Sequence, residues 1–289
     1  MKVQNNRILL SDIIKQKRKD LQKELELKPL KTLREEVESN KYCPDSKTKS
    51  HVGKVTNSLR QALVHKEDVA VIYEFKPASP SMGDISSSSL EDALAVFEKS
   101  GASAVSILTE EKYFKGSLDN LRCAKNITKL PIIRKDFIID DYQIYQAKMA
   151  GANGVLLMSG IYPDMAGGIS LCRELELDPL VECRNREDIS SSLGAGADIL
   201  GINNRNFQNF EVDLKTTEKL ARYVPQEALL VSESGIKSPE DAIRLSQHGV
   251  DALLVGTSIM GVDGKLGMLK AATSIINAVK GLRIVRNEG

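Results

Sequence analysis

The sequence has no tryptophan, and aromatic residues make up only 4% of its 289 positions. Its own near-ultraviolet fluorescence is therefore weak. No apolar run approaches the ~18 residues that a membrane span needs. The opening MKVQNNRILLSDIIKQKRK has only a few adjacent aliphatics before charge resumes, so a signal-peptide core is not expected. Neither sign of charge dominates, with 40 Lys+Arg against 39 Asp+Glu. Nothing in that balance suggests a nucleic-acid footprint, which needs clustered excess positive charge. The four cysteines, Cys43, Cys123, Cys172 and Cys183, form no C-x-x-C pair. The three histidines, His51, His65 and His248, are not near them at metal-ligand spacing. No metal site is expected, and scattered free thiols fit a reducing cytoplasm.

What is present is ordinary globular composition, 42% hydrophobic and 27% charged, in a chain long enough for one large core. Eight short apolar runs recur, at 69–73, 104–108, 132–133, 155–158, 180–181, 199–202, 229–231 and 252–255. Each ends in polar or charged residues. Between most of them lies a stretch of helical periodicity, often closed by Gly-Ala or Gly-Val. The runs are rich in Val, Ile and Leu without strict alternation, as in a parallel sheet buried on both faces. Strand and helix alternating eight times predicts a (β/α)8 TIM barrel over 67–289. The active site of such a barrel lies at the carboxyl ends of its strands, so the polar residues after each run are the candidate chemistry.

Residues 1–66 lie outside this pattern and predict an N-terminal helical extension. Ser11 is placed to cap a first helix, Pro29 opens a second, and a third is expected around Ser58–Val64. Residues 39–57 read as a polar loop. The extension can cap the amino end of the barrel, lie over its mouth or dock to a partner. Packing on the barrel is expected, because short helices are marginal alone.

The first run ends in Glu74-Phe75-Lys76, followed by Pro77, Ser79, Pro80 and Ser81. Period-two geometry puts Glu74 and Lys76 on one face, in the barrel mouth. A buried ion pair there would cost desolvation, so a functional role is the stronger reading. The third run ends in Arg134-Lys135, and only one of the two can enter the barrel. An inward Lys135 would stand beside Lys76 and opposite Glu182. Nearby cations and burial are expected to depress its pKa, suiting it to acid–base work or a Schiff base. Glu182 ends the fifth run as a general-base candidate. Cys183 should face away from it. After the sixth run, Asn203 is a polar orienter, and Arg205 can pair with a carboxylate or phosphate. Ser234-Gly235 and Gly256-Thr257 follow the last two runs. Glycine turns at consecutive late strands are a favoured phosphate cradle.

The segments EFKPASPS, ILTEEKYFKGS, IIRKDFIID, LVEC, GINNRNF, VSESGI and LLVGTSIM, in this order and spacing, resemble the indole-3-glycerol-phosphate synthase family. The resemblance runs from about Ser11 to Met260. It implies a (β/α)8 barrel with a helical extension and no cofactor or metal. The implied reaction is decarboxylating ring closure of 1-(2-carboxyphenylamino)-1-deoxyribulose 5-phosphate in tryptophan biosynthesis. It further implies Lys135 as general acid, Glu74 and Glu182 as catalytic carboxylates, Lys76 as second lysine and Asn203 as orienting amide. Ser79, Arg205, Ser234, Gly235, Gly256 and Thr257 fall among the substrate-binding positions. Phe114, Phe137 and Leu157 are expected to wall the anthranilate ring. Pro77 and Met82 stand where many members carry extra lysines. The partner implied is a small phosphorylated molecule, with association to other enzymes of the pathway left open. Two other readings also remain open, a different sugar-phosphate barrel, either an isomerase or a Schiff-base aldolase using Lys135, and a non-catalytic phosphate-ligand barrel or scaffold. The presence of Lys135, Glu182 and Glu74 together weighs against the second.

Overall fold

The computed structural model describes residues 10–42, 58–64, 67–206, 209 and 211–286. Eight strands, β1 (Ala70–Phe75), β2 (Ala104–Leu108), β3 (Ile132–Lys135), β4 (Gly154–Met158), β5 (Asp178–Cys183), β6 (Ile199–Asn203), β7 (Leu229–Glu233) and β8 (Ala252–Val255), close into a parallel barrel. Each pairs with its neighbours in sequence, and β8 closes on β1 through pairs such as Ala70 with Ala252.

Side chains alternate between two apolar layers along every strand, which is why the runs show no polar alternation. Val71, Val105, Val155, Leu200 and Leu253 pack outward under the helices. Ile72, Ile133, Leu156, Leu180, Val231 and Leu254 fill the interior. The helices following β1, β2 and β3 are Leu90–Ser100, Leu118–Ile127 and Asp141–Ala150, where helical periodicity predicts 90–99, 118–127 and 142–150. Ser89, Ser117 and Asp140 cap their amino ends by accepting backbone N–H groups. Gly101 and Gly151 close the first and third of these in the left-handed region, as the Gly-Ala signal predicts. After the helix Arg186–Gly194, where Gly194-Ala195 predicts the turn, the left-handed residue is instead Gly196, two positions beyond Gly194.

The extension engages both ends of the barrel. Helix α1 (Leu10–Leu27) inserts Ile13 into the interior cluster alongside Phe114 and Phe137. Ser11 lies in the first turn of this helix rather than before it. Helix α2 (Leu30–Tyr42) continues through 39–42, which were expected as loop, and sets Leu33 against Tyr142. The remainder of that expected loop, with Cys43 and His51, lies outside the described residues. Helix α3 (Leu59–Leu63) places Leu59 and Leu63 in the same interior cluster from the amino end. Its Ser58 Oγ and Arg60 N donate to Asp178 at the start of β5, at 2.7 and 2.9 Å. No helix among the described residues is long and apolar enough to cross a membrane.

Candidate active site

A cavity of about 590 Å³ opens at the carboxyl end of the barrel. Glu74, Lys76, Ser79, Phe114, Lys135, Phe137, Glu182, Asn203, Arg205, Ser234, Gly235, Gly256 and Thr257 all border it. The apolar end has Phe114 and Phe137 with ring centroids 6.1 Å apart, tilted by 44°. Leu157 does not belong there. It packs outward in the layer beneath the helices, whereas Leu156 and Met158 border the cavity. One residue of register exchanges the two faces of a strand, so the sequence expectation is corrected to Leu156.

Lys135 ends β3 pointing inward, while Arg134 turns outward to Asp136, Thr109 and the carbonyl of Gln143. Lys135 Nζ lies 3.4 Å from Glu233 Oε2 and 3.8 Å from Glu182 Oε2. Burial disfavours its charge, but the carboxylates of Glu233, Glu182 and Glu74 outweigh that and hold its pKa above the ordinary lysine value. The depressed pKa expected from sequence is thus reversed. The strand ends bring a neighbouring cation, Lys76, but the acidic side chains that converge on Lys135 decide the sign.

Lys76 has the opposite shift. Burial lowers its pKa, and Lys135 and Arg205 add to the effect, against Glu74. Its Nζ sits 3.3 Å from Glu74 Oε1 and 5.6 Å from the centre of the Phe114 ring. Glu182 accepts a 3.0 Å bond on Oε2 from Asn203 Nδ2. Its Oε1 is buried without a hydrogen-bond partner among the described residues. Asn203 Oδ1 in turn accepts from Arg205 N at 2.9 Å, fixing the amide and the chain beyond it. Asn204 turns away and ties β6 to β7 through Ser232, Glu233 O and Ser234 O. Cys183 faces away from the cavity, and burial pushes its thiol up to about 12, so it is a packed residue rather than a nucleophile.

At the other end, Ser234 and Gly235 occupy the left-handed region in succession, with φ of 66° and 87°. Ser258 Oγ donates to Ile236 O at 2.9 Å, joining this turn to the short helix Thr257–Met260. Gly256 has a second reason to be glycine. A β-carbon there would lie 2.8 Å from Glu74 Oε1 and 3.1 Å from Glu74 Cβ. Ser79 Oγ and Ser81 Oγ stand 3.5 Å apart at the rim.

The family profile described as indole-3-glycerol phosphate synthase matches residues 10–269 of this chain. The chain belongs to the indole-3-glycerol phosphate synthase family. It is 43% identical over 252 residues to the indole-3-glycerol phosphate synthase of Methanothermobacter marburgensis, covering 87% of this chain and 86% of that protein. It is 40% identical over 258 residues to that of Caldanaerobacter subterraneus subsp. tengcongensis, covering 89% and 94%. A solved thiamine phosphate pyrophosphorylase from Pyrococcus furiosus has 18% identity and a TM-score of 0.58 over 77% of this chain and 98% of that one, a likeness of fold alone.

Sequence reasoning about this member of the indole-3-glycerol phosphate synthase family missed Glu233. It ends β7, is buried without bordering the cavity, and carries the carboxylate oxygen nearest Lys135 among the described residues. The signal was available, because Val231 faces inward and a period of two brings Glu233 to the same face. Burial, with Glu182 and Glu74 against Lys135, pushes Glu233 up to about 8.

Proposed function

We propose that this chain catalyses the reaction of its family, closing the indole ring of 1-(2-carboxyphenylamino)-1-deoxyribulose 5-phosphate with loss of CO2 and water. The observation that carries the reading is a largely buried lysine, 3.4 Å from Glu233 and 3.8 Å from Glu182, that enters a cavity with one aromatic end and one glycine-rich end.

The substrate has an aromatic acid at one end and a phosphate at the other. Phe114, Phe137 and Leu156 take the ring, and the turns Ser234-Gly235 and Gly256-Thr257 take the phosphate on backbone N–H groups. Arg205 and Lys76 supply positive charge between them. Ring C1 attacks the C2 carbonyl, and negative charge develops on its oxygen. Lys135 donates a proton there. An alkoxide is a stronger base than the carboxylates around the lysine, so it takes a proton that they cannot. Loss of CO2 restores the ring electrons. Glu182, with Oε1 unengaged, then removes the proton whose loss completes the indole. Lys76, whose pKa burial lowers, protonates the departing hydroxyl. Glu74 orients Lys76, and Asn203 orients Glu182.

An imine mechanism requires a neutral amine. Lys135 is held in the ammonium form, which disfavours it. The two are separated by borohydride treatment in the presence of substrate, which traps an imine and leaves a ring-closure enzyme active. The direct test is the appearance of indole fluorescence and CO2 when purified protein meets the anthranilate-ribulose phosphate. The chain has no tryptophan, so the background is low. Absence of both signals from folded protein would reject the reading.

A further inference from the structure

Ser106 lies in the middle of β2 and takes no part in the chemistry described above. Its neighbours Val105 and Ile107 pack outward, whereas Ala104 and Leu108 belong to the interior cluster. The period of two therefore puts Ser106 inside the barrel. It is fully buried, and it does not border the cavity. A hydroxyl in that position cannot touch substrate.

Its partner in the β1–β2 register is Glu74, which also points inward. Ser106 Oγ and Glu74 Oε2 are both buried, and neither has a hydrogen-bond partner among the described residues. Glu74 stands on β1 between β8 and β2. Its Oε1 engages Lys76 and lies against Gly256 on the β8 side. That leaves Oε2 for a donor from β2. A carboxylate is an acceptor and a serine hydroxyl can donate, so the two unmatched atoms are chemically complementary. Buried polar atoms without partners are uncommon, because the desolvation they suffer is not recovered. On the other side of Ser106 the register partner is the aliphatic Ile133, which offers the hydroxyl nothing.

We infer that Ser106 is a positioning residue for Glu74: its hydroxyl donates to Oε2, directly or through one water held between them, while Oε1 holds Lys76. The carboxylate is then fixed at both oxygens. Lys76 inherits that orientation, and with it the direction in which it presents its proton. The inference rests on the function proposed above only for its kinetic consequence. The contact itself is independent of it.

Two experiments separate these parts. In steady-state assays, Ser106→Ala is expected to lower kcat about tenfold with KM changed less than about twofold, the pattern of a group that matters in the transition state. In a Glu74→Gln background the same substitution is expected to have no further effect. Ser106→Thr keeps the hydroxyl and is expected to retain most of the turnover. An unchanged kcat in Ser106→Ala, or the same fold loss with and without Glu74→Gln, overturns the positioning role and leaves the function standing. The second experiment is a crystal structure of the parent chain at a resolution that shows ordered water. It is expected to show Ser106 Oγ bonded to Glu74 Oε2 or joined to it by one water. A Ser106 hydroxyl turned elsewhere with no bridge overturns the inference even in an active enzyme. If the parent makes no indole product, the function falls, and the crystal structure alone decides the contact.

Discussion

A β-carbon placed on Gly201 would lie 2.0 Å from Glu233 Oε1. Gly201 sits in the interior of β6, and the Glu233 carboxylate lies in the space that its missing side chain leaves. The carboxylate nearest Lys135 is therefore held in place partly by the absence of a side chain on the neighbouring strand. Gly201→Ala should displace Glu233 and release Lys135 from it. Turnover is expected to fall at least about tenfold, with a smaller change in KM. Far-ultraviolet circular dichroism checks the fold, and an unchanged kcat would show that Glu233 finds an equivalent position.

Glu233 also makes stability depend on pH. Its pKa stands at about 8 against an ordinary 4.5, with burial the first cause and Glu182 and Glu74 acting in the same direction. The folded protein binds this proton more tightly than the unfolded chain does. The stability it contributes is complete below pH 4.5 and is lost as the pH rises through about 8. Glu233→Gln removes the titration. Between about pH 5 and pH 9, the Tm of the parent should fall more than that of the variant. Parallel curves would show that Lys135 keeps Glu233 ionised throughout.

The extension reaches the site through an ion pair as well as through Ile13. Lys17 of α1 reaches Asp136 at 2.7 Å, and Asp136 also accepts from Thr109, Arg134 and the Phe137 amide. Asp136 is buried, which raises its pKa, but Lys17 and Arg134 more than compensate and hold it below the ordinary carboxylate value. Asp136 stands between Lys135 and Phe137, so its anchorage is theirs. Lys17→Met should cost about 1.5–3 kcal/mol, the range for a hydrogen bond to a charged group. It should also raise KM through a loosened Phe137. Denaturant unfolding and steady-state kinetics measure the two effects.

The two glycine turns should separate when each is substituted. Gly235 has φ of 87°, and a β-carbon there would lie 2.4 Å from Val212 Cγ1. Gly235→Val should weaken binding of the substrate and of inorganic phosphate together, and leave a dephosphorylated analogue bound as before. Gly256→Ala crowds Glu74 and should lower turnover even for the analogue. Calorimetric titration with phosphate and with the analogue distinguishes them. Equal loss of both ligands in Gly235→Val would make that glycine structural.

Much of this arrangement was legible in the chain. Runs of Val, Ile and Leu ending in charge mark the strand ends, and helical periodicity between them marks the helices. Glu74, Lys76, Lys135, Glu182 and Asn203 follow from their places at those ends. What was not legible depends on register or on summed fields. Leu157 and Leu156 are indistinguishable as letters, and only the pairing of β4 with its neighbours says which faces inward. The pKa of Lys135 changes sign because Glu233 adds to Glu182 and Glu74, and no local pattern joins residues from β1, β3, β5 and β7. Gly201 reads as one more aliphatic-strand residue until the side chain of Glu233 is seen to fill its place.

The most direct test of the account is turnover by Lys135→Met, followed by indole fluorescence and set beside product binding by the same protein. Removing a general acid should lower the rate at least ~10²-fold. Product affinity should stay within about tenfold, because the lysine acts mainly in the transition state. Turnover close to that of the parent would contradict the assignment of Lys135 as the proton donor that drives ring closure.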